Sequence, residues 1–193
     1  IPQTNIWENE GLWYLSGDTD SYNWLLDRSN SSDETVHGVS DGSVKESQEE
    51  GTFAWALLHK IDVNTYEPMG VSAQGWEGLY STKLPTEEVH SYRMEALGLL
   101  SVLTYLRTEI RWKGKVEWHI DSKSVIDTFA ICERLHKSSW HRQRDKDIWT
   151  TLQVEKRHWK GRIKITHVES HVDKKRDAEG NKRIPTSIQL MNI

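Results

Sequence analysis

The stretch Val39-Ser40-Asp41-Gly42-Ser43 decides how the rest of the chain is interpreted. An apolar residue leads into an aspartate, glycine follows, and a β-rich segment comes soon after at residues 51–58. The pattern places a carboxylate near the middle or end of a first strand, where Gly42 lets another backbone, a ligand or a metal approach. The pair Asp41-Gly42 alone is also typical of a hairpin turn. Whether other carboxylates can meet Asp41 separates the two interpretations.

The composition indicates one domain with a full core. The chain has 193 residues, a formal net charge of -4 and one cysteine, Cys132, which cannot form an internal disulfide and fits a reducing, intracellular compartment. No apolar run approaches the length of a membrane span. Since the chain begins at Ile1 with no signal-like segment, we expect it to be a piece of a larger protein.

Charge is distributed unevenly along the chain. Residues 105–165 carry 15 Lys and Arg against 8 Asp and Glu, whereas residues 1–104 carry 5 against 17. Such a basic segment is often only a solvated face, but it can also hold nucleic-acid phosphates. We call seven of its cations the basic island: Lys137, Arg142, Arg144, Lys146, Lys156, Arg157 and Lys160.

Hydrophobic periodicity divides the chain into strands and helices. Residues 1–37 are rich in aromatic and turn residues, and we interpret them as a small hairpin or arm packed on the domain, followed by a loose linker. Short β segments at 39–44, 52–60 and 69–80 predict an antiparallel meander. The period then changes and predicts, in order, helix 90–106, strand 115–121, helix 122–135, helix 145–159 and strand 162–168. The sequence therefore predicts an α/β sheet whose later strands are joined by helical crossovers and run parallel.

Two further carboxylates appear where this order of elements can bring them to Asp41. Asp121 closes the fourth predicted strand, at the edge where open α/β sheets bind ligands, although Asp121 and Ser122 also suit a helix N-cap. Glu95 shares the apolar face of the first predicted helix with Leu99, four residues on. A carboxylate on a buried face must be paired, protonated or bound to metal, because an isolated buried charge is very costly.

Four motifs carry a resemblance to the ribonuclease H family. They are Asp41 in Asp-Gly-Ser, Glu95 in Arg-Met-Glu-Ala-Leu, Asp121 in Ile-Asp-Ser-Lys-Ser-Val and His171 in Thr-His-Val-Glu-Ser-His, at spacings of 54, 26 and 50 residues. Their order and setting resemble most the ribonuclease H-like domains attached to reverse transcriptases of eukaryotic retroelements. The resemblance covers the chain from about Val39 onward.

The resemblance implies a five-stranded mixed sheet with its first three strands antiparallel, flanked by helices, in a domain spanning residues 38–193. It also implies that Asp41, Glu95 and Asp121 converge and hold two Mg²⁺ or Mn²⁺ ions, which prefer such hard oxygen ligands. Two ions can activate water and stabilise the leaving 3′ oxygen. The implied activity is hydrolysis of the RNA strand of an RNA·DNA hybrid, leaving 5′-phosphate ends, within a larger reverse transcriptase polyprotein.

The resemblance gives His171 the role of a mobile-loop histidine that assists protonation or product release. We interpret His167 as structural, and His119 as a packing residue or a neighbour of the site. The family's fourth carboxylate opens a last helix, and no residue up to Ile193 fits it. We therefore expect that the chain stops before this helix and that the fourth ligand lies just beyond Ile193.

Recognition of a hybrid rests on 2′-hydroxyl contacts and on backbone shape, whereas phosphate contacts position the duplex without reading its sequence. We expect the basic island to contact the DNA strand, and Trp140 to lie against a sugar or to serve in the core or a lid. The predicted nucleic-acid contacts are Ser43, Asn64, Lys123, Trp140, Arg142 and Arg144.

Two other functions stay open at this point. A non-catalytic ribonuclease H-like scaffold or nucleic-acid clamp would fit the missing fourth acid and the acidic net charge. A transposase or exonuclease of the same fold would use Asp145 or Asp147 as a metal ligand, although both residues also suit the start of a helix.

Overall fold

The computed structural model describes residues 12–45, 50–78, 89–135, 140 and 143–169. Six strands and four helices occur among them, with a π-helical turn at Leu106–Ile110 and a 3₁₀ turn at Cys132–Arg134. In chain order the elements are β1 (Leu12–Gly17), α1 (Thr19–Arg28), β2 (Thr35–Val44), β3 (Glu50–Lys60), β4 (Tyr66–Gly78), α2 (Ser91–Tyr105), β5 (Lys115–Ile120), α3 (Lys123–Ile131), α4 (Lys146–Trp159) and β6 (Ile163–His167).

All six strands form one mixed sheet in the order β1-β4-β3-β2-β5-β6. Strands β2, β3 and β4 form the predicted antiparallel meander, while β5 pairs in parallel with both β2 and β6. This confirms the predicted mixed α/β sheet. Because Val39 of β2 pairs with His119 of β5, the residues two positions further on, Asp41 and Asp121, come to the same edge of the sheet.

The N-terminal residues differ from the prediction. Leu12–Gly17 is not part of a hairpin arm but a sixth strand, antiparallel to β4 along its whole length. Helix α1 follows directly, its N-terminus capped by Asp18, whose Oδ1 accepts the Ser21 N–H at 2.7 Å, and Leu25 of this helix is fully buried. Strand β2 also begins at Thr35, four residues earlier than predicted. Residues 12–28 therefore extend the sheet and its packing.

The main core lies between the sheet and helix α2, and α4 packs against α2. The apolar face of α2 is fully buried at Ala96, Leu99 and Leu103, and tryptophans fill much of the remaining volume. Val39, Leu58 and Tyr66 form a smaller, separate apolar cluster. Among the helices of the described ranges, none has the length and hydropathy needed to cross a bilayer.

Candidate metal-binding carboxylate site

Gly42 is the point where helix α2 meets strand β2. A Cβ at this position would lie 2.7 Å from the backbone N of Glu95 and 2.8 Å from the carbonyl carbon of Met94, closer than real Cβ atoms come. The Gly42 N–H donates to Asp41 Oδ1 at 2.9 Å and to Glu95 Oε1 at 3.2 Å. The sequence left open whether Gly42 makes room for another backbone, a ligand or a metal. In the structure it makes room for the backbone of α2. The result is that two carboxylates share one amide.

Glu95 is the most perturbed acid of this site. Its side chain is buried, 5 % exposed, and its Oε2 has no hydrogen-bond partner among the described residues. Burial first, and then the charge of Asp41, raise the pKa of Glu95 to about 9. The neighbouring charge of Asp41 disfavours the ionised form of Glu95. The side chain therefore holds a proton near neutral pH, or it needs a cation.

Asp121 completes the group of acids. It follows β5 directly, and its side chain is 35 % exposed. The cap of α3 is supplied by Ser122, whose Oγ accepts the Val125 N–H at 3.4 Å, so Asp121 is not needed as the cap. The charge of Asp121 also contributes to the raised pKa of Glu95. Asp41 and Asp121 thus lie at the same edge of the sheet, and the charges of both reach Glu95.

The donor set fits a hard divalent cation. Three carboxylates repel one another unless a cation or a proton intervenes, and the unpartnered Oε2 of Glu95 is a vacant acceptor of the type that Mg²⁺ prefers. Within the described ranges, no three His, Cys, Asp or Glu side chains are already arranged as a metal-binding cluster. The acids are therefore neighbours whose side chains would still have to turn toward an ion.

His167 is a neighbour of the site that the sequence interpretation assigned to structure alone. It ends β6, pairs with Ile120, and places Nε2 at 4.0 Å from Asp121 Oδ1 with its side chain 47 % exposed. The parallel register of β5 and β6, which pairs His167 with the residue before Asp121, could have indicated that His167 lies near the site. His171, the predicted catalytic histidine, lies outside the described residues.

His119 is a packing residue. Both of its ring nitrogens are buried without a hydrogen-bond partner in the described part of the chain, and its ring meets Tyr66 edge-on at 5.5 Å. Burial lowers the pKa of His119 to about 4. The imidazole is therefore neutral at neutral pH.

The predicted nucleic-acid contacts fall in different places. Ser43 and Lys123 are exposed, each two residues beyond an acid of the site. Asn64 lies in the turn after β3, while Asp41 pairs with Ala54 six residues before the end of that strand. A rise of about 3.3 Å per residue puts Asn64 roughly 20 Å or more from the acids, so its predicted position near the site is wrong.

The remaining predicted contacts lie around α4. Trp140 is partly buried against the main core, which favours the core role over an open stacking surface. Arg144 is exposed at the N-terminal end of α4, whereas Arg142 and Lys137 lie outside the described residues.

The members of the basic island that the structure describes do not form one surface. The Lys156 side chain is already bonded to α3 and to the turn that follows it. Its Nζ donates to the carbonyl of Phe129 at 2.5 Å and lies 2.9 Å from Glu133 Oε1. Arg144 and Lys160 stand at opposite ends of α4, a helix of 14 residues and therefore about 21 Å long. These charges are close in the sequence but far apart in the structure.

Asp145 and Asp147 belong to a buried ion cluster around Arg93. Arg93 donates to Asp145 Oδ1 at 3.0 Å, to Asp147 Oδ2 at 2.6 Å and to Glu77 at 2.9 Å, while His90 Nε2 lies 2.9 Å from Asp145 Oδ2. Burial alone would lower the pKa of Arg93, but its bonds to Asp147 and Glu77 outweigh burial and raise it. Both aspartates are thus engaged by Arg93, which disfavours their use as metal ligands in a transposase-like site.

Comparisons of the structure with solved structures identify ribonuclease H domains. LC9-RNase H1, a type 1 RNase H with the type 2 active-site motif, superposes with a TM-score of 0.52 at 11% identity, covering 75% of this chain and 67% of that chain. LC11-RNase H1, solved in complex with an RNA/DNA hybrid, gives 0.48 at 12% identity over 69% and 85% of the two chains. The foamy viral protease-reverse transcriptase, solved with dsDNA, gives 0.45 at 8% identity over 75% and 83%. No protein-family model and no curated protein sequence matches the chain.

Proposed function

We propose that this chain, which has the ribonuclease H fold, hydrolyses the RNA strand of RNA·DNA hybrids with the help of two divalent metal ions. One observation carries the proposal: Glu95 is buried beside Asp41 and within the electrostatic reach of Asp121, and one of its oxygens has no hydrogen-bond partner in the described part of the chain. Such a group is costly for stability and is explained by a cation that the three acids share. A non-catalytic scaffold of this fold would not need a buried carboxylate at position 95.

The chain's own residues would prepare this site. Asp41, Glu95 and Asp121 would hold the ions, and the shared Gly42 amide keeps one oxygen of each of the first two carboxylates close to the other. When bound, Mg²⁺ or Mn²⁺ ions lower the pKa of a water and neutralise charge on the phosphate. The half-exposed His167 stands beside Asp121, with its Nε2 4.0 Å from Asp121 Oδ1.

Substrate selection would rest on residues around the acids. The exposed Ser43 and Lys123 flank two of them along the chain, and Arg144 lies at the start of α4, next to the Arg93 cluster that anchors α2. We propose that these side chains contact the hybrid backbone, where contacts position a duplex without reading its sequence. The sequence motifs further suggest that the domain serves a larger reverse transcriptase.

A substrate panel tests the proposal. Labelled RNA·DNA hybrid, RNA duplex and DNA duplex are incubated with the chain in Mg²⁺, and the ends of the products are identified. We expect cleavage of the RNA strand of the hybrid alone, with 5′-phosphate ends. Asp41→Asn should abolish it, whereas Asp127→Asn, which changes an exposed aspartate of α3, should not.

Other outcomes would decide against the proposal. Equal activity of the chain and Asp41→Asn would point to a contaminating nuclease. Hybrid binding without cleavage would favour the clamp function, and cleavage of DNA duplex alone would favour a different nuclease of this fold.

A further inference from the structure

A second charged region lies at the opposite end of the sheet from the acids. A cleft of about 540 Å³ opens where β2, β5 and β6 begin and where α4 turns into β6. Its charged lining consists of Lys60, Lys115, Lys160, Arg162 and Lys164 with one carboxylate, Glu117. Asp41 lies six residues along β2 from Thr35 at the cleft, which corresponds to roughly 20 Å, so the two sites are separate.

The positive charge of this cleft is only partly balanced. Glu117 is the one acid among the described residues that line it, with Oε1 at 3.4 Å from Lys164 Nζ and Oε2 at 3.0 Å from His37 Nδ1. Within the described residues, Lys60, Lys115 and Lys160 have no carboxylate within ion-pair distance. The whole chain carries a net charge of -4, so this surplus is local and does not reflect a generally basic protein.

Arg162 gives the cleft a fixed donor. Its Nη1 donates to the carbonyls of Gly114 at 2.7 Å and Trp112 at 3.3 Å, and its guanidinium lies 4.8 Å from the centre of the Trp159 ring. These partners are neutral, so they hold the side chain in place without pairing its charge with a carboxylate. An arginine held in this way is suited to phosphate oxygens, which it can bind through two parallel N–H bonds.

The turn between α4 and β6 leaves the cleft open. Lys160 and Gly161 both have positive φ, 48° and 79°, which turns the chain sharply at the end of the helix. A Cβ at Gly161 would meet no atom within 4 Å. The cavity volume falls within the range of small-molecule pockets, about 300–1,000 Å³.

We propose that this cleft binds a compact di- or triphosphate group. Several exposed lysines around one anchored arginine match a small ligand of high negative charge better than a single carboxylate. The same chemistry has two possible sources, a free nucleotide polyphosphate or consecutive backbone phosphates of a nucleic-acid strand. The site is independent of the acids and would operate whether or not the chain cleaves RNA.

Calorimetric titration with inorganic tripolyphosphate in EDTA tests the proposal without any contribution from metal-bound acids. The triple variant Lys115→Gln, Lys160→Gln and Lys164→Gln changes exposed side chains and should weaken binding at least about tenfold, because three charge-assisted contacts are lost. Arg134→Gln, an exposed cation that does not line the cleft, should bind as the wild type does. Glu117→Gln should bind more tightly, which no general loss of structure would produce.

The proposal is overturned if tripolyphosphate does not bind, if the triple variant binds like the wild type, or if Glu117→Gln binds more weakly. Competition then identifies the source. Displacement of tripolyphosphate by a short RNA·DNA hybrid assigns the cleft to backbone phosphates. If tripolyphosphate still binds when the hybrid is saturating, the cleft is assigned to a free polyphosphate.

Discussion

The backbone N–H of Gly42 donates to Oε1 of Glu95 at 3.2 Å, and this contact joins the first strand of the meander to the helix that carries the buried acid. The approach is possible because residue 42 has no Cβ. Gly42→Ala would place a Cβ 2.7 Å from the Glu95 backbone N and push α2 away from β2. We expect a loss of about 1–3 kcal/mol in the free energy of unfolding, measured in urea.

A second glycine at the same helix–sheet contact is the control. A Cβ at Gly98 would lie 3.5 Å from Ser40 Cβ, an ordinary contact, and alanine favours the interior of a helix. Gly98→Ala should therefore leave stability unchanged or raise it. If both variants lose the same stability, tight packing at Gly42 is not the cause.

The buried Glu95 should make stability depend on pH. Its folded-state pKa, about 9, lies above the ordinary value of 4.5, so between these values the folded chain binds more protons than the unfolded chain. The free energy of unfolding in EDTA should then fall as pH rises from 5 to 8, by up to about 1.4 kcal/mol per pH unit. Glu95→Gln should remove this slope, and a slope identical to that of the wild type would contradict the assignment.

The ion cluster around Arg93 should be important for stability. Arg93→Met would leave Glu77 and Asp145 buried without their cation, which we expect to lower the free energy of unfolding by about 3–5 kcal/mol. Arg28→Met is the matched control, because Arg28 faces Glu34 at 4.0 Å with both side chains more than a third exposed. That exposed pair should contribute at most about 1 kcal/mol. Similar losses from the two variants in urea unfolding would argue against a structural role of the cluster.

His119 should destabilise the fold in acid. Its folded-state pKa, about 4, lies below the ordinary value of 6.5, so the unfolded chain binds the extra proton in that interval, and stability is lost as pH falls from 6.5 toward 4. Other groups near His119 are Glu117, His37 and Lys60. His119→Phe should reduce the loss between pH 7 and pH 5, whereas His158→Phe, at an exposed position of α4, should not. Thermal unfolding at the two pH values measures the difference.

The acids of the site could be predicted because they follow from local patterns. Asp121 stands where a β period ends, Glu95 interrupts an apolar helical face, and Asp41 precedes a glycine inside a strand. Each of these signals lies within a few residues of the acid itself. The sequence predicted parallel later strands but not the pairing of β2 with β5, which brings Asp41 and Asp121 to the same edge of the sheet.

What the sequence could not show depends on distant partners. Arg93 and Asp145 are 52 residues apart, and no local period indicates that they are bonded. Strand β1 is six residues long, and its place in the sheet depends on pairing with β4 more than 50 residues later. In the basic island, by contrast, residues that are close in the sequence lie far apart in space, because α4 separates Arg144 from Lys160.

We propose that Glu95, with Asp41 and Asp121, holds the metal at which RNA is cleaved. The most direct measurement is the initial rate of RNA-strand cleavage in a labelled hybrid across a Mg²⁺ titration, for the wild-type chain and for Glu95→Gln. We predict Mg²⁺-dependent cleavage by the wild type and a rate at least about 100-fold lower for Glu95→Gln at every Mg²⁺ concentration. Cleavage by Glu95→Gln at the wild-type rate, or none by the wild type at any Mg²⁺ concentration, would contradict it.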